Sequence, residues 1–197
     1  MFDIDNYHKT FKQYPECLME SAGRVYGVWM TGNYYKRTEG YHGEYPPSYI
    51  RRVKALFPDR NPILHVFGGT VPSSETEHTV DLNPDLEPTF IGKAEEVHQL
   101  VGDNKYQLIM ADPPYTKDDA NKYGYPMPNN KLVFRELRKV ATDDGVLVWL
   151  DLRVPIFRKK DWKLLGMILL FTGTNRVVRA ISIFQAAKGE PDGIFTV

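Results

Sequence analysis

The sequence predicts an α/β fold, a doubly wound and mostly parallel sheet that ends in an antiparallel hairpin. Three observations lead there. Near-continuous apolar runs at 63–67, 79–82, 89–91, 106–110 and 146–150 have the length and composition of parallel strands buried on both faces. Loops and helical patterns separate these runs, as crossover connections require. Two further runs, 164–171 and 177–184, flank Thr172-Gly173-Thr174-Asn175, which reads as a hairpin turn.

The elements follow in chain order. Residues 1–60 are rich in Tyr, Gly and Pro and read poorly as regular structure as far as Ser48. They are expected to form an N-terminal cap or extension, with residues 61–197 as the core. Ser48 can cap a helix that places Ile50, Val53 and Phe57 on one face and stops at Pro58. Only ten residues separate Gly69 from Val80, which limits the first crossover helix to a turn or two around 73–77. Asn130 can cap a longer helix with Val133, Leu137 and Val140 along one face, followed by a turn at Asp143-Asp144-Gly145.

Composition narrows the class. A chain of 197 residues and 22.7 kDa with 42% apolar residues suits one globular domain. Its apolar stretches are too short to span a bilayer, and residues 1–5 lack the basic and apolar regions of a signal peptide. Cys17 is the single cysteine, so neither an internal disulfide nor a thiolate zinc site is expected. These features point to a cytoplasmic protein without a membrane partner. Formal charge is zero but uneven: 9 basic against 7 acidic residues over 1–60, 4 against 11 over 61–130, and 12 against 7 over 131–197. An acidic middle argues against a simple basic nucleic-acid binder and leaves room for a substrate that meets part of the surface.

Three features fall at successive strand ends. The first strand runs out through Phe67 into Gly68-Gly69-Thr70, where glycines permit a tight turn and close approach of a ligand. Asp81 ends the second strand, where a carboxylate can accept both hydroxyls of a ribose. Asp112-Pro113-Pro114-Tyr115 follows the fourth run directly, and this tetrapeptide arises by chance in roughly one chain per thousand of this size. Its residue types suit one chemistry. An exocyclic base amine is a poor nucleophile because its lone pair is delocalised into the ring. A carboxylate and a backbone carbonyl that accept its two N–H bonds pull the nitrogen toward tetrahedral geometry. Two prolines fix that carbonyl, and the adjacent aromatic offers a face for a flipped base.

These residues resemble the class I S-adenosylmethionine-dependent methyltransferases, specifically the amino-methyltransferases of nucleic-acid bases, over about residues 62–184. Phe67, Gly68 and Gly69 match the cofactor loop, continued by Thr70. Asp81 matches the ribose-binding acid and Asp112–Tyr115 the catalytic motif, in the form typical of adenine-N6 enzymes. The resemblance implies a Rossmann-like methyltransferase sheet, S-adenosyl-L-methionine as cofactor, no metal, and a nucleic-acid substrate, DNA ahead of RNA. Lys93 stands where the family often has an Asp that contacts the cofactor adenine, so backbone atoms at Lys93 and Ala94 are expected to replace that contact. The third glycine of the loop is absent.

The chain also lacks room for a dedicated target-recognition segment, since all 42 residues between Gly69 and Asp112 are needed for the fold. Recognition then falls to residues 116–130, read as a lid with Lys117, Lys122, Tyr123 and Tyr125. The aromatic stretches 29–35 and 42–47 are read as a cap over the cofactor pocket or as packing, and a homodimer or a separate recognition partner is the alternative source. The basic run Arg158-Lys159-Lys160 with Lys163 is read as a solvated face or a phosphate contact. Three readings stand: a DNA adenine-N6 methyltransferase, an RNA base N-methyltransferase, and a cofactor-binding subunit dependent on a partner. A nicotinamide dehydrogenase has no use for Asp-Pro-Pro-Tyr.

Overall fold

The computed structural model describes residues 1–32, 44–173 and 177–188. Its elements are α1 (Ile4–Thr10), β1 (Leu18–Ser21), β2 (Arg24–Thr31), α2 (Tyr49–Leu56), β3 (Ile63–Val66), β4 (Glu77–Asp81) and β5 (Phe90–Ile91). These are followed by α3 (Val97–Val101), β6 (Tyr106–Ala111), α4 (Lys117–Lys122), α5 (Asn130–Val140), β7 (Ala141–Asp151), β8 (Trp162–Thr172) and β9 (Val178–Ala186). The strands form one sheet in the order β1-β2-β8-β9-β7-β6-β3-β4-β5. β5, β4, β3, β6 and β7 run parallel, and β9 lies antiparallel between β7 and β8. This is the mostly parallel, hairpin-ended α/β sheet that the apolar runs predict.

The central strands are covered on both faces, which is why they are apolar without alternation: all four residues of β3 are buried, as are five of the six in β6. One face packs under α1 and α2 through Tyr7, Phe11, Tyr49, Val53, Leu56 and Phe57. The other packs under α3 and α5 through Val97, Val101, Val133, Phe134, Leu137 and Val140. The α5 stripe therefore faces the sheet as its spacing predicts.

Several sequence expectations need correction. Residues 1–60 are not poor in regular structure. They carry α1 and the β1–β2 hairpin, and β2 pairs in parallel with β8 from Val25↔Gly166 to Thr31↔Thr172. Arg52 ties this region together from a buried position, donating to the Tyr7 hydroxyl and to the Met30 carbonyl, with the Trp29 ring 5.6 Å away. Such contacts join residues far apart in sequence and leave no local pattern. Ser48 is not a side-chain cap: it sits at φ 61° without a capping bond, and its hydroxyl accepts from Arg52 Nε at 3.2 Å. α5 is capped by Asn129, one residue before the expected Asn130. Asp143-Asp144-Gly145 lies within β7, where the pairing with β6 shifts register, so a local irregularity absorbs the turn residues. No helix forms around 73–77; β4 starts at Glu77 instead. The lid segment is also more regular than its lack of apolar periodicity suggests, because Thr116 caps α4 by accepting the Asp119 N–H at 3.1 Å. In the hairpin turn, Thr174 and Asn175 lie outside the described residues.

Candidate active site

Where parallel strands end, their last carbonyls and following loops open toward solvent, and ligands collect there. In this chain the ends of β3, β4, β5 and β6 border one cavity of about 250 Å³.

One side of the cavity is the glycine loop. The chain leaves β3 through two left-handed residues, Phe67 (φ 59°) and Gly69 (φ 55°). The N–H groups of Phe67 and Gly68 both donate to the Val80 carbonyl, at 3.0 and 3.3 Å, which holds the unfavourable Phe67 backbone in place. A Cβ on Gly68 would stand 3.2 Å from Thr79 Cβ, so the loop lies tight against β4. Asp81 fixes this arrangement from the neighbouring strand. Its Oδ2 accepts the Gly69 N–H at 3.1 Å and its Oδ1 accepts the Asn83 N–H at 3.0 Å. Each carboxylate oxygen has further acceptor capacity, and Asp81 borders the cavity.

The opposite side is built by the residues after β6. The Tyr115 hydroxyl donates to Asp112 Oδ1 at 2.6 Å, and the Arg179 guanidinium carbon lies 5.1 Å from the centre of the Tyr115 ring, within cation–π range. Arg179 Nε is buried without a hydrogen-bond partner among the described residues. Burial pushes the Asp112 carboxyl up to about 7, with the nearby Asp151 charge adding to the rise. The Tyr115 hydrogen bond and the Arg179 charge act against it. A carboxylate at the edge of ionisation near neutral pH, inside a cleft, has the profile of a functional group. Behind it, on the α2 side, Tyr45 and Tyr49 stack at 5.1 Å and the Tyr45 hydroxyl donates to the Met110 carbonyl at 3.2 Å. Burial raises both phenols well above their ordinary range.

Residues of the 116–130 segment form the remaining wall. Ala120, Tyr123, Tyr125 and Pro126 border the cavity, and the Tyr125 hydroxyl donates to the Leu82 carbonyl at 3.3 Å. This contact joins the segment to the end of β4.

Phe67, Gly69, Asp81, Lys93, Ala94, Asp112, Pro113, Pro114 and Tyr115 therefore border the same cavity, although they are spread over nearly 50 positions of the chain. Gly68 and Thr70 do not border it. Gly68 packs on Thr79, and the Thr70 hydroxyl donates to Glu44 Oε1 at 3.0 Å. Trp29 and Met30 also stay away: Trp29 is buried beneath the sheet and Met30 is exposed on its surface. From the aromatic cap, Glu44 reaches the cavity, whereas 33–35 and 42–43 lie outside the described residues. In the basic run, Arg158 pairs with Asp161. Sequence reading missed Glu44, Glu95 and Arg179, each of which borders the cavity. Arg179 carries no motif, and only the pairing of β9 beside β7 brings it to the end of β6.

No family model and no curated protein matches the sequence. Solved structures do match by shape. TrmN from Thermus thermophilus superposes with a TM-score of 0.52 at 15% identity, covering 74% of this chain and 50% of its own. The chain thus spans half the length of that structure. The yhhF protein of Escherichia coli gives 0.42 at 11% identity over 86% of this chain and 98% of its own. SMU.776, complexed with SAH, gives 0.43 at 13% identity over 87% and 56%. The fold is that of the Rossmann-like methyltransferases.

Proposed function

We propose that this chain is an S-adenosylmethionine-dependent methyltransferase acting on an exocyclic amine of a nucleic-acid base, with adenine N6 in DNA as the leading target. One observation carries the reading. Asp112, with a carboxyl displaced to about 7, shares a single cavity with the glycine loop and Asp81.

The residues present fit the cofactor. Gly69 has no side chain to obstruct a ligand at the turn. Asp81, already aligned by two backbone N–H groups, presents acceptors suited to ribose hydroxyls. Glu44 adds a second acid on the same side, suited to a cationic amino group. Lys93 and Ala94 line the slot beyond β5, where a purine would lie. When bound, the cofactor supplies an electrophilic methyl group on a sulfonium sulfur.

The chain's own groups prepare the nucleophile. Asp112 Oδ2 accepts one amine N–H while Oδ1 remains held by Tyr115, and the carbonyl of Pro113 accepts the other. This localises the lone pair on nitrogen and aims it. An exocyclic nitrogen that has gained a methyl group would be cationic and acidic. A carboxylate with a pKa of about 7 is a competent acceptor for the departing proton. Tyr115, braced by Arg179, supplies the face on which the base stacks, and the Tyr123–Tyr125 wall closes over it.

An RNA base is the alternative target, since DNA and RNA are distinguished by 2′-hydroxyl contacts that leave no motif. The deciding experiment is incubation with methyl-labelled S-adenosylmethionine and separate DNA and RNA, followed by digestion to nucleosides. Label in N6-methyladenosine of the deoxy series supports the leading target, and label in ribonucleosides supports the alternative. Absence of label from both, with cofactor bound, overturns the enzymatic reading in favour of a cofactor-binding subunit.

A further inference from the structure

A sheet face that no helix covers must bury its apolar side chains elsewhere or leave them wet. Beyond β9, on the side where α3 and α5 cover the centre of the sheet, the described residues leave such a face. The connection from β7 to β8 contains no helix; its Phe157 packs on Phe184 of β9, and the outer faces of β8, β2 and β1 stay exposed at the residues named below. Cross-strand registers align the exposed residues in rows: Met30, Phe171 and Val178 in one, Val28 and Leu169 in the next, Met19 and Tyr26 in a third. All seven are exposed, Met30 by 74% and Leu169 by 39%. The same strands bury their other face, where Trp29, Ile168 and Leu170 pack under α1 and α2 and only Thr31 and Thr172 are polar among the residues buried there. The exposed rows are therefore not a solvated side of an ordinary two-faced sheet, which would alternate toward polar residues.

We propose that this face is the interface of a homodimer, formed by apposition of the β2–β8 faces of two copies about a two-fold axis. Three arguments select a second copy. At the exposures of these seven residues the patch amounts to roughly 600 Å² per protomer, so full apposition of two copies would bury about 1,200 Å², the lower bound of stable specific interfaces. A monomer rarely exposes an apolar patch of more than about 300–600 Å². The seven residues of these rows carry no formal charge at neutral pH, so the centre of an isologous contact sets no like charges against each other, with the exposed Arg24 at the edge of the same face. The Met30–Phe171–Val178 row lies at the end of the sheet where Arg179 enters the cavity wall. The interface stands independently of the methyl-transfer reading.

The test is the mass of the full chain by sedimentation equilibrium from about 1 to about 100 μM, the range that brackets a weak dimer. The expected result is a reversible rise from 22.7 kDa to twice that value. Leu169→Glu, and separately Val28→Glu, should shift the midpoint at least tenfold upward, with circular dichroism and cofactor binding unchanged. A parent chain that stays monomeric throughout overturns the proposal. So does a dimer that both substitutions leave intact, or an assembly larger than two. Should either variant misfold, amide exchange of the parent decides. Protection over 26–30 and 167–171 that grows with concentration supports the interface, and protection independent of concentration refutes it.

Discussion

The Tyr115 hydroxyl donates to Asp112 Oδ1 across 2.6 Å, so the two ends of the Asp-Pro-Pro-Tyr segment grip each other across the rigid proline pair. The bond favours the ionised carboxylate while leaving Oδ2 available, and it sets the tyrosine ring against Arg179. Both partners thus oppose the burial that pushes Asp112 up to about 7. The pH dependence follows. Methyl transfer requires the ionised form, so the single-turnover rate should climb through about pH 7. Tyr115→Phe and Arg179→Met each remove an interaction that favours ionisation, so each should move the limb to higher pH. A limb that stays in place in both variants would contradict the role given to this pair.

Asp112→Ala should abolish methyl transfer while cofactor affinity changes little, because in the proposed mechanism the carboxylate acts on the amine rather than on the cofactor. Tyr115→Ala should weaken binding of the base by about 1–3 kcal/mol, the usual worth of base–aromatic stacking. Tyr115→Phe should keep that affinity and lose only at low pH. Calorimetry with cofactor and single-turnover assays with substrate separate these effects.

Asp81→Ala should weaken S-adenosylmethionine binding by about 1–3 kcal/mol, the usual cost of losing a charge-assisted hydrogen bond. It should also loosen the glycine loop, since the same side chain holds the Gly69 N–H. Titration calorimetry measures the first effect and amide exchange at residues 68–71 the second. Unaltered affinity would remove Asp81 from the cofactor site.

Glu77 anchors β4 where no crossover helix does. The bond from His65 Nε2, then the Lys54 ammonium, hold its carboxyl down to about 2 against a desolvation that would raise it. A folded pKa below the unfolded value of 4.5 contributes stability that is present above pH 4.5 and lost as pH falls through 2. Glu77→Gln should therefore cost about 2 kcal/mol at pH 7, discounted for partial exposure. The difference between variant and parent should close as pH approaches 2. Urea unfolding at pH 7 and at pH 3 measures the trend, and a constant gap would contradict it.

Specificity should be short or relaxed. Few side chains of the 116–130 segment can enter a major groove, and each good bidentate contact discriminates by only about 1–3 kcal/mol. Flipping a base costs least where pairing is already weak, so single-stranded or mismatched substrate should be accepted well, with binding that falls steeply with salt. Sequencing modified sites on a treated plasmid checks this. Modification confined to one long motif by the pure protein would refute it.

The central sheet was legible because a strand buried on both faces must be apolar throughout, and the runs around Ile63, Tyr106 and Val146 have no other use for that composition. The Asp112–Tyr115 segment was legible because rare residue types in a fixed order leave a local signature. The same holds for the Gly68-Gly69 turn, where the backbone of Gly69 needs a left-handed conformation. The β1–β2 hairpin was not. Its strands are exposed on one face with apolar residues there, so the alternation that marks an edge hairpin is missing. Ser48 was misread for a related reason: a serine before a helix reads as a cap, yet the buried Arg52 takes its hydroxyl. Sequence by itself determined the apolar runs of the central strands, the glycine turn and the Asp-Pro-Pro-Tyr segment, because each depends on neighbours in the chain. Only the tertiary structure decided that Arg179 braces Tyr115, that Glu44 reaches the cavity and that apolar residues of the β2–β8 face are exposed among the described residues. Those facts come from strand pairing and a missing crossover helix, contacts between distant residues that impose no pattern on the residues beside them.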